Sequence, residues 1–313
     1  MKKLMIFLAG FGFASLSFAA SPLVTPVELK ALLANPVVRV IDVRPGPEYV
    51  NNHIPGALSA PYGDWRGPAS NPGDLPLLPQ LTKLVQRLGL TPANHVVVVS
   101  SGADSTDFGA SARVYWTLKV LGLKNLSILN GGVEAWNAAS LPQDRVVPKV
   151  VASTFAPKFD QSLIASRDEV AAQVNNPKTR LVDARPAAFF LGNASHPAAK
   201  VAGTIHNAVN LDNGKWFKPG TAIFLSVEDA KKVAAIAGIT SQDQIISFCN
   251  TGHWAATNWF AMSEILGLKN VKLYPGSMVD WTQASSALPM DNVPGRGHKL
   301  MNDAKNWVNK AFN

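Results

Sequence analysis

Cysteine is nearly absent from this sequence, with one in 313 residues, Cys249. A single cysteine excludes any intramolecular disulfide, so stability has to come from packed cores. Charged residues make up only 16%, and lysine and arginine never gather into a block. Without basic clusters interleaved with aromatics, the chain carries no footprint for nucleic acid, and none is expected as a partner. Beyond the amino terminus no apolar run approaches the roughly 18 residues of a membrane span. The six histidines, His53, His95, His196, His206, His253 and His298, are scattered without ligand spacing, so no metal is implied. No glycine-rich phosphate fingerprint opens a helix after the first strand, which argues against a nucleotide. No cofactor of any kind is expected.

What is there reads as globular: 47% of residues are hydrophobic, in a chain long enough for two domains with cores of their own. The first twenty residues stand apart. Lys2 and Lys3 precede the apolar stretch from Leu4 to Phe18 and a small-residue site around Ser17, Phe18 and Ala19, the pattern of a secretory signal peptide. The expectation is an exported protein, periplasmic in a diderm bacterium. Removing Lys2 and Lys3 from the 29 basic side chains still leaves an excess over the 21 acidic ones. A mild positive field of that kind draws small anions. In an oxidising compartment a lone thiol is a liability unless it is used or buried.

The sequence contains the same unit twice. Val40-Ile41-Asp42-Val43-Arg44 is echoed by Leu181-Val182-Asp183-Ala184-Arg185, and Trp65 matches Trp216 at the offset that takes Ala57 to Ala208. Leu121 to Asn125 returns letter for letter as Leu266 to Asn270, and at that same offset Gly131 meets Gly276 and Trp136 meets Trp281. Apolar runs without alternation, such as Val96 to Ser100, take turns with helical runs such as Ala110 to Leu121. This predicts an α/β fold of two tandem domains, each a parallel sheet flanked by helices. Residues 1–20 are assigned to the signal peptide, 21–142 to the first domain, 143–158 to a linker and 159–313 to the second domain. Lys299 to Phe312 reads as a closing helix. Arg66 to Pro79, rich in proline and glycine, reads as a surface loop with no chemistry attached.

Cys249 falls at the end of the strand-like run Ile245, Ile246, Phe248, and a helical run begins at Ala255 and stops at Gly267. The turn Asn250-Thr251-Gly252-His253-Trp254 is short enough to leave backbone N–H groups pointing inward, at a helix N-terminus. Such a ring favours a thiolate, and the thiolate is the nucleophile. These five residues are the candidate substrate-binding loop. His253 reads as a loop-tip histidine, partly protonated near neutrality, and Trp254 as packing the loop. Asp183 and Arg185 read as a structural pair beneath it, duplicated by Asp42 and Arg44.

On these residues the chain resembles the tandem rhodanese family of sulfurtransferases over essentially its whole mature length. The first copy carries the opening motif, Asp42, Arg44, Glu48-Tyr49 and His53-Ile54-Pro55-Gly56-Ala57, and both copies carry a closing Gly…Trp element. The resemblance implies one catalytically silent domain and one with a nucleophilic cysteine. Accordingly, Ser100-Ser101 stands where the second copy has Cys249, followed by a turn, Gly102 to Gly109, read as longer than its counterpart. It also implies a small anionic sulfur donor, such as thiosulfate, and a thiophilic acceptor. Family members that prefer thiosulfate have basic residues directly after the cysteine and an added arginine where Phe189 stands; here Asn250 and Thr251 follow it instead. The loop therefore predicts a weak hold on thiosulfate, improving towards pH 6 as His253 gains charge. A non-catalytic exported sulfur carrier or partner-binding module is the alternative. A cysteine phosphatase would need arginine where Ala255 stands, and no lysine or arginine occurs from Cys249 to Leu268.

Overall fold

A computed structural model describes residues 20–240 and 244–295. Residues 1–19 of the expected signal peptide and the closing helix expected from Lys299 lie outside the described residues. The first domain holds β1 (Leu23–Val24), β2 (Val38–Asp42), β3 (Leu58–Ser59), β4 (His95–Val99) and β5 (Leu126–Leu129). They form one parallel sheet in the order β1-β5-β4-β2-β3. The second domain holds β6 (Thr179–Asp183), β7 (Thr204–Ile205), β8 (Val209–Asn210), β9 (Gln244–Phe248), β10 (Val271–Leu273) and β11 (Met290–Asp291). Its main sheet is parallel in the order β10-β9-β6-β8, and β7 pairs separately with β11, antiparallel.

The central strands are apolar without alternation because helices cover both faces: Val96 to Val99 are fully buried, as are Ile246 and Phe248. Residues 143–158 contain no helix or strand. In each domain the residue after the strand aspartate leads to an arginine that folds back on it, Arg44 on Asp42 and Arg185 on Asp183, both at 2.6 Å.

The domains meet along two helices. Ser105–Val120 is buried over most of its circumference, Arg113 and Thr117 included, because it lies between the two sheets. It packs on Trp254–Phe260, which continues as a π-helical turn, Ala261–Ile265, and ends near Gly267 at φ 70°. Phe108 of the first domain stands 5.0 Å from Phe217, 5.6 Å from Phe224 and 5.7 Å from Phe260 of the second, ring centre to ring centre. At the helix ends Glu264 accepts hydrogen bonds from the Tyr115 hydroxyl at 2.7 Å and from Lys119 Nζ at 2.6 Å. One hydrophobic core thus runs through both domains and fixes their relative position.

The sequence places the start of the first-domain helix at Ala110 after a long turn; it begins at Ser105 instead. Asp104 caps it by accepting from Asp107 N–H at 2.8 Å, and Ser-Thr-Asp continues as helix where composition alone suggests a turn. The connections 100–104 and 249–253 are therefore of equal length, and the first is not the longer.

Candidate active site

Cys249 is the first residue beyond β9 and is buried. The loop after it curls around Ser277. The Ser277 hydroxyl accepts from the N–H groups of Cys249 at 3.0 Å and Gly252 at 3.2 Å, and donates to the Tyr274 carbonyl at 2.8 Å. Gly252 has φ 69°, and a Cβ there would lie 2.4 Å from Arg113 Nη1. Only glycine meets both conditions. No protein acceptor is found among the described residues for the N–H groups of Asn250 and Thr251. Beneath the loop, Asp183 receives Arg185, Thr204 Oγ1 at 2.8 Å and the Arg185 backbone N–H at 3.0 Å, while Arg185 Nη1 donates to Asn250 Oδ1 at 3.3 Å. The supporting pair so holds the residue next to the cysteine.

The other wall belongs to the first domain. Arg66 donates through Nη2 to the Thr251 carbonyl at 2.8 Å and through Nη1 to the Tyr62 hydroxyl at 2.9 Å. Tyr62 passes its proton bond on to His253 Nδ1 at 2.8 Å, and His253 Nε2 lies 2.7 Å from the Thr106 carbonyl. A carbonyl can only accept, so Nε2 carries the hydrogen and Nδ1 receives the tyrosine. Glycine at 109 leaves room for the ring, since a Cβ there would sit 2.7 Å from Nε2. Burial, followed by the positive charge of Arg66, pushes His253 down to about 4. His253, read from the sequence as a partly protonated loop-tip residue, is instead neutral and half-buried, clamped between the domains.

Arg113 is fully buried behind the loop, donating to the carbonyls of Gly252 at 3.2 Å and Gly73 at 2.8 Å, with its guanidinium 4.9 Å from the centre of the Trp116 ring. Burial and Arg66 lower it to about 9, against the pull of Tyr62, Cys249 and Asp74, so it remains charged at neutral pH.

These walls enclose a pocket of about 280 Å³ lined by Cys249, Asn250, Thr251, His253 and Trp254 from the second domain, with His196, and by Tyr62, Arg66 and Thr106 from the first. Of the candidate loop, only Gly252 does not line it; its two polar backbone groups face Ser277 and Arg113. Trp254 both lines the pocket and packs, donating to Thr106 Oγ1 at 3.3 Å and meeting Phe189 edge-on at 5.9 Å. Tyr62, Arg66, Thr106 and His196 escape sequence reasoning. One signal existed: after the matched tryptophans the first copy has Arg66 and the second Phe217, a charge where its twin buries an aromatic. The stretch 66–79, to which the sequence attaches no role, thus brings Arg66 to the pocket wall. The sequence shows no basic residue beside Cys249, yet in space two arginines of the first domain stand there.

A rhodanese-like domain matches twice, over residues 25–139 and 166–284. The chain belongs to the rhodanese family. A putative thiosulfate sulfurtransferase of Synechococcus elongatus is 29% identical over 294 residues, covering 90% of this chain and 88% of that protein. The thiosulfate sulfurtransferase of Azotobacter vinelandii is 30% identical over 266 residues, 84% of this chain and 95% of its own. The sulfur carrier protein TtuD of Thermus thermophilus is 31% identical, covering 80% of this chain and 89% of its own. The solved structure of SseA from Escherichia coli, described as a 3-mercaptopyruvate sulfotransferase, superposes at TM-score 0.73 with 23% identity, covering 82% of this chain and 99% of that one. An anaerobic ergothioneine biosynthesis enzyme from Chlorobium limicola superposes at 0.77 with 20% identity, covering 87% of this chain and 71% of its own. The two tandem rhodanese domains and these relatives identify a sulfurtransferase enzyme. Among the described residues no helix is long and apolar enough to cross a membrane.

Proposed function

We propose that this rhodanese moves sulfane sulfur from a small anionic donor such as thiosulfate to a thiophilic acceptor, through a persulfide on Cys249. The thiolate attacks the outer sulfur of thiosulfate; a new S–S bond forms, the bond to the sulfonate sulfur breaks, and sulfite leaves with the electron pair. An acceptor nucleophile then takes the outer sulfur and returns the thiolate, so the cycle needs no oxidant or reductant. The observation that carries this reading is the position of the only cysteine, at the floor of a small pocket beside two amides without acceptors and within the field of two arginines. Asn250, Thr251, His253 and Trp254 shape the donor's seat, Gly252 holds the loop, and Asp183 and Arg185 support it. The first domain, with Ser100 in the equivalent place, forms no persulfide.

Intact-mass measurement after incubation with thiosulfate tests this. The expected gain is one sulfur, removed by cyanide and absent in Cys249→Ser; no gain on the wild type, or an equal gain on the variant, refutes it. A second reading, a sulfur carrier without turnover, is favoured by the name of the T. thermophilus relative. Steady-state thiocyanate formation from thiosulfate and cyanide, lost in Cys249→Ala, would exclude it. Lys2, Lys3 and the apolar stretch behind them support export to the periplasm. Cell fractionation, with deletion of residues 1–20 as the control, tests that separately.

A further inference from the structure

Arg66 is the one lining residue of the Cys249 pocket that brings a positive charge at neutral pH. No aspartate or glutamate lines that pocket, and the remaining side chains are hydroxyl, amide, indole and imidazole. Both imidazoles lie below their ordinary value, His253 through burial and then Arg66, His196 likewise, so neither adds positive charge at neutrality. The Arg66 guanidinium has no carboxylate partner among the described residues. The partners it has, the Thr251 carbonyl and the Tyr62 hydroxyl, are neutral acceptors that aim it without cancelling its charge. A guanidinium offers five donors in a planar fork, and these two contacts leave others free. Arg113 reinforces the field from behind the loop but is sealed from the pocket.

We infer that Arg66, supplied by the non-catalytic domain, is the specificity-determining residue that holds the anionic tail of the sulfur donor while its outer sulfur meets Cys249. This rests on the Cys249 reading above and adds to it the substrate class: compact donors with a sulfonate or carboxylate tail, small enough for about 280 Å³. Donor choice is therefore made across the domain boundary, by a residue far from the cysteine in sequence. The neutral residues directly after Cys249 leave room for that arrangement, because a second cation on the loop would face Arg66 at close range.

The test separates binding from turnover. Sulfite is titrated calorimetrically into Cys249→Ser protein, with and without Arg66→Met, and thiosulfate kinetics are measured on the same change in the otherwise native chain. Loss of a charge-assisted contact predicts a fall of roughly tenfold to a hundredfold in sulfite affinity and a matching rise in thiosulfate KM, with the loss appearing in KM rather than kcat. Arg66→Lys recovers part of the affinity, and Arg87→Met, a surface charge outside the pocket, changes neither quantity. Unchanged sulfite affinity in a folded Arg66→Met protein overturns the inference even if the Cys249 persulfide forms as proposed. Failure of the wild type to form a persulfide refutes the function instead, and leaves the sulfite titration to decide on Arg66. Equal losses in Arg66→Met and Arg87→Met also overturn it, since they indicate net charge rather than a seat.

Discussion

The connections 100–104 and 249–253 follow the same strand-to-helix path in the two domains and differ in what fills them. Each is tied down from the closing glycine element in the same way: Val133 N–H meets the Ser100 carbonyl at 3.0 Å, and Met278 N–H meets the Cys249 carbonyl at 3.0 Å. In the first loop the Gly102 N–H is occupied by the Asp107 carboxylate at 2.6 Å. In the second, Gly252 N–H and Cys249 N–H share the neutral hydroxyl of Ser277, which replaces Gly132 of the first copy. A carboxylate at the loop repels an incoming anion, whereas a hydroxyl organises the loop without adding charge. The backbone cradle is thus common to both repeats. What differs is the group at its rim, a carboxylate in the first copy and a hydroxyl in the second.

The largest expected effect comes at Cys249, the proposed nucleophile. Cys249→Ser should abolish thiocyanate formation, and adding Ser100→Cys to it should restore none, because the Asp107 carboxylate occupies that loop and the repeat position that matches Arg66 holds Phe217. Measurable turnover in the double variant would show that the cysteine alone makes a loop active. Next in size is the joint between the domains. Phe108→Ala leaves a hole among Phe217, Phe224 and Phe260, and a buried phenylalanine cut to alanine costs about 3–5 kcal/mol. Urea unfolding should report a midpoint lowered to that extent; a loss under about 1 kcal/mol would mean that the shared core does not couple the domains.

The doubled α/β architecture is legible in sequence because each repeat must bury unalternating strands and re-use the same Asp–Arg pair and Gly…Trp element. Cys249 stands out as the candidate nucleophile because a lone cysteine at a strand end has few structural excuses. The first-domain half of the site is not. Arg66 lies in a proline- and glycine-rich stretch that has no periodicity, and its partner, the Thr251 carbonyl, is a backbone group that any residue provides. His253 was visible as a residue but not as an environment: its state depends on Tyr62 and Thr106, both distant in sequence. The onset of the helix at Ser105 was hidden by a run of cap-forming residues that are poor helix formers elsewhere.

A smaller effect follows from making the second loop like the first. Ser277→Gly removes the acceptor for two N–H groups but relieves a left-handed backbone at φ 53°. The lost hydrogen bonds cost about 1–3 kcal/mol and the relieved strain returns about 1–3, so global stability should change little. The loop's precision should not survive, and the rate of persulfide formation, followed by stopped flow with thiosulfate, should fall about tenfold. An unchanged rate would mean that the cradle needs no hydroxyl at its centre.

The smallest effect expected is in the pH dependence of donor binding. Read from the loop alone, His253 would charge near pH 6 and tighten the hold on thiosulfate. In place it donates to the Thr106 carbonyl, accepts from Tyr62, and faces Arg66 and the more distant Arg113, with Asp107 the acid that favours its charged form. Burial and Arg66 prevail and bring it to about 4. It therefore stays neutral above about pH 5, and thiosulfate KM should show no step from it between about pH 5.5 and 8. Stability must respond in the opposite region. An unfolded histidine binds its proton near pH 6.5, well above the folded value, so the contribution of neutral His253 is complete above about pH 6.5 and is lost as pH falls towards 4. Replacing it by glutamine, which cannot titrate, should flatten that part of the stability profile measured by chemical denaturation. A KM that drops on a single ionisation near pH 6 in the wild type and not in His253→Gln would return the imidazolium to the donor site and make Arg66 one of two cations there.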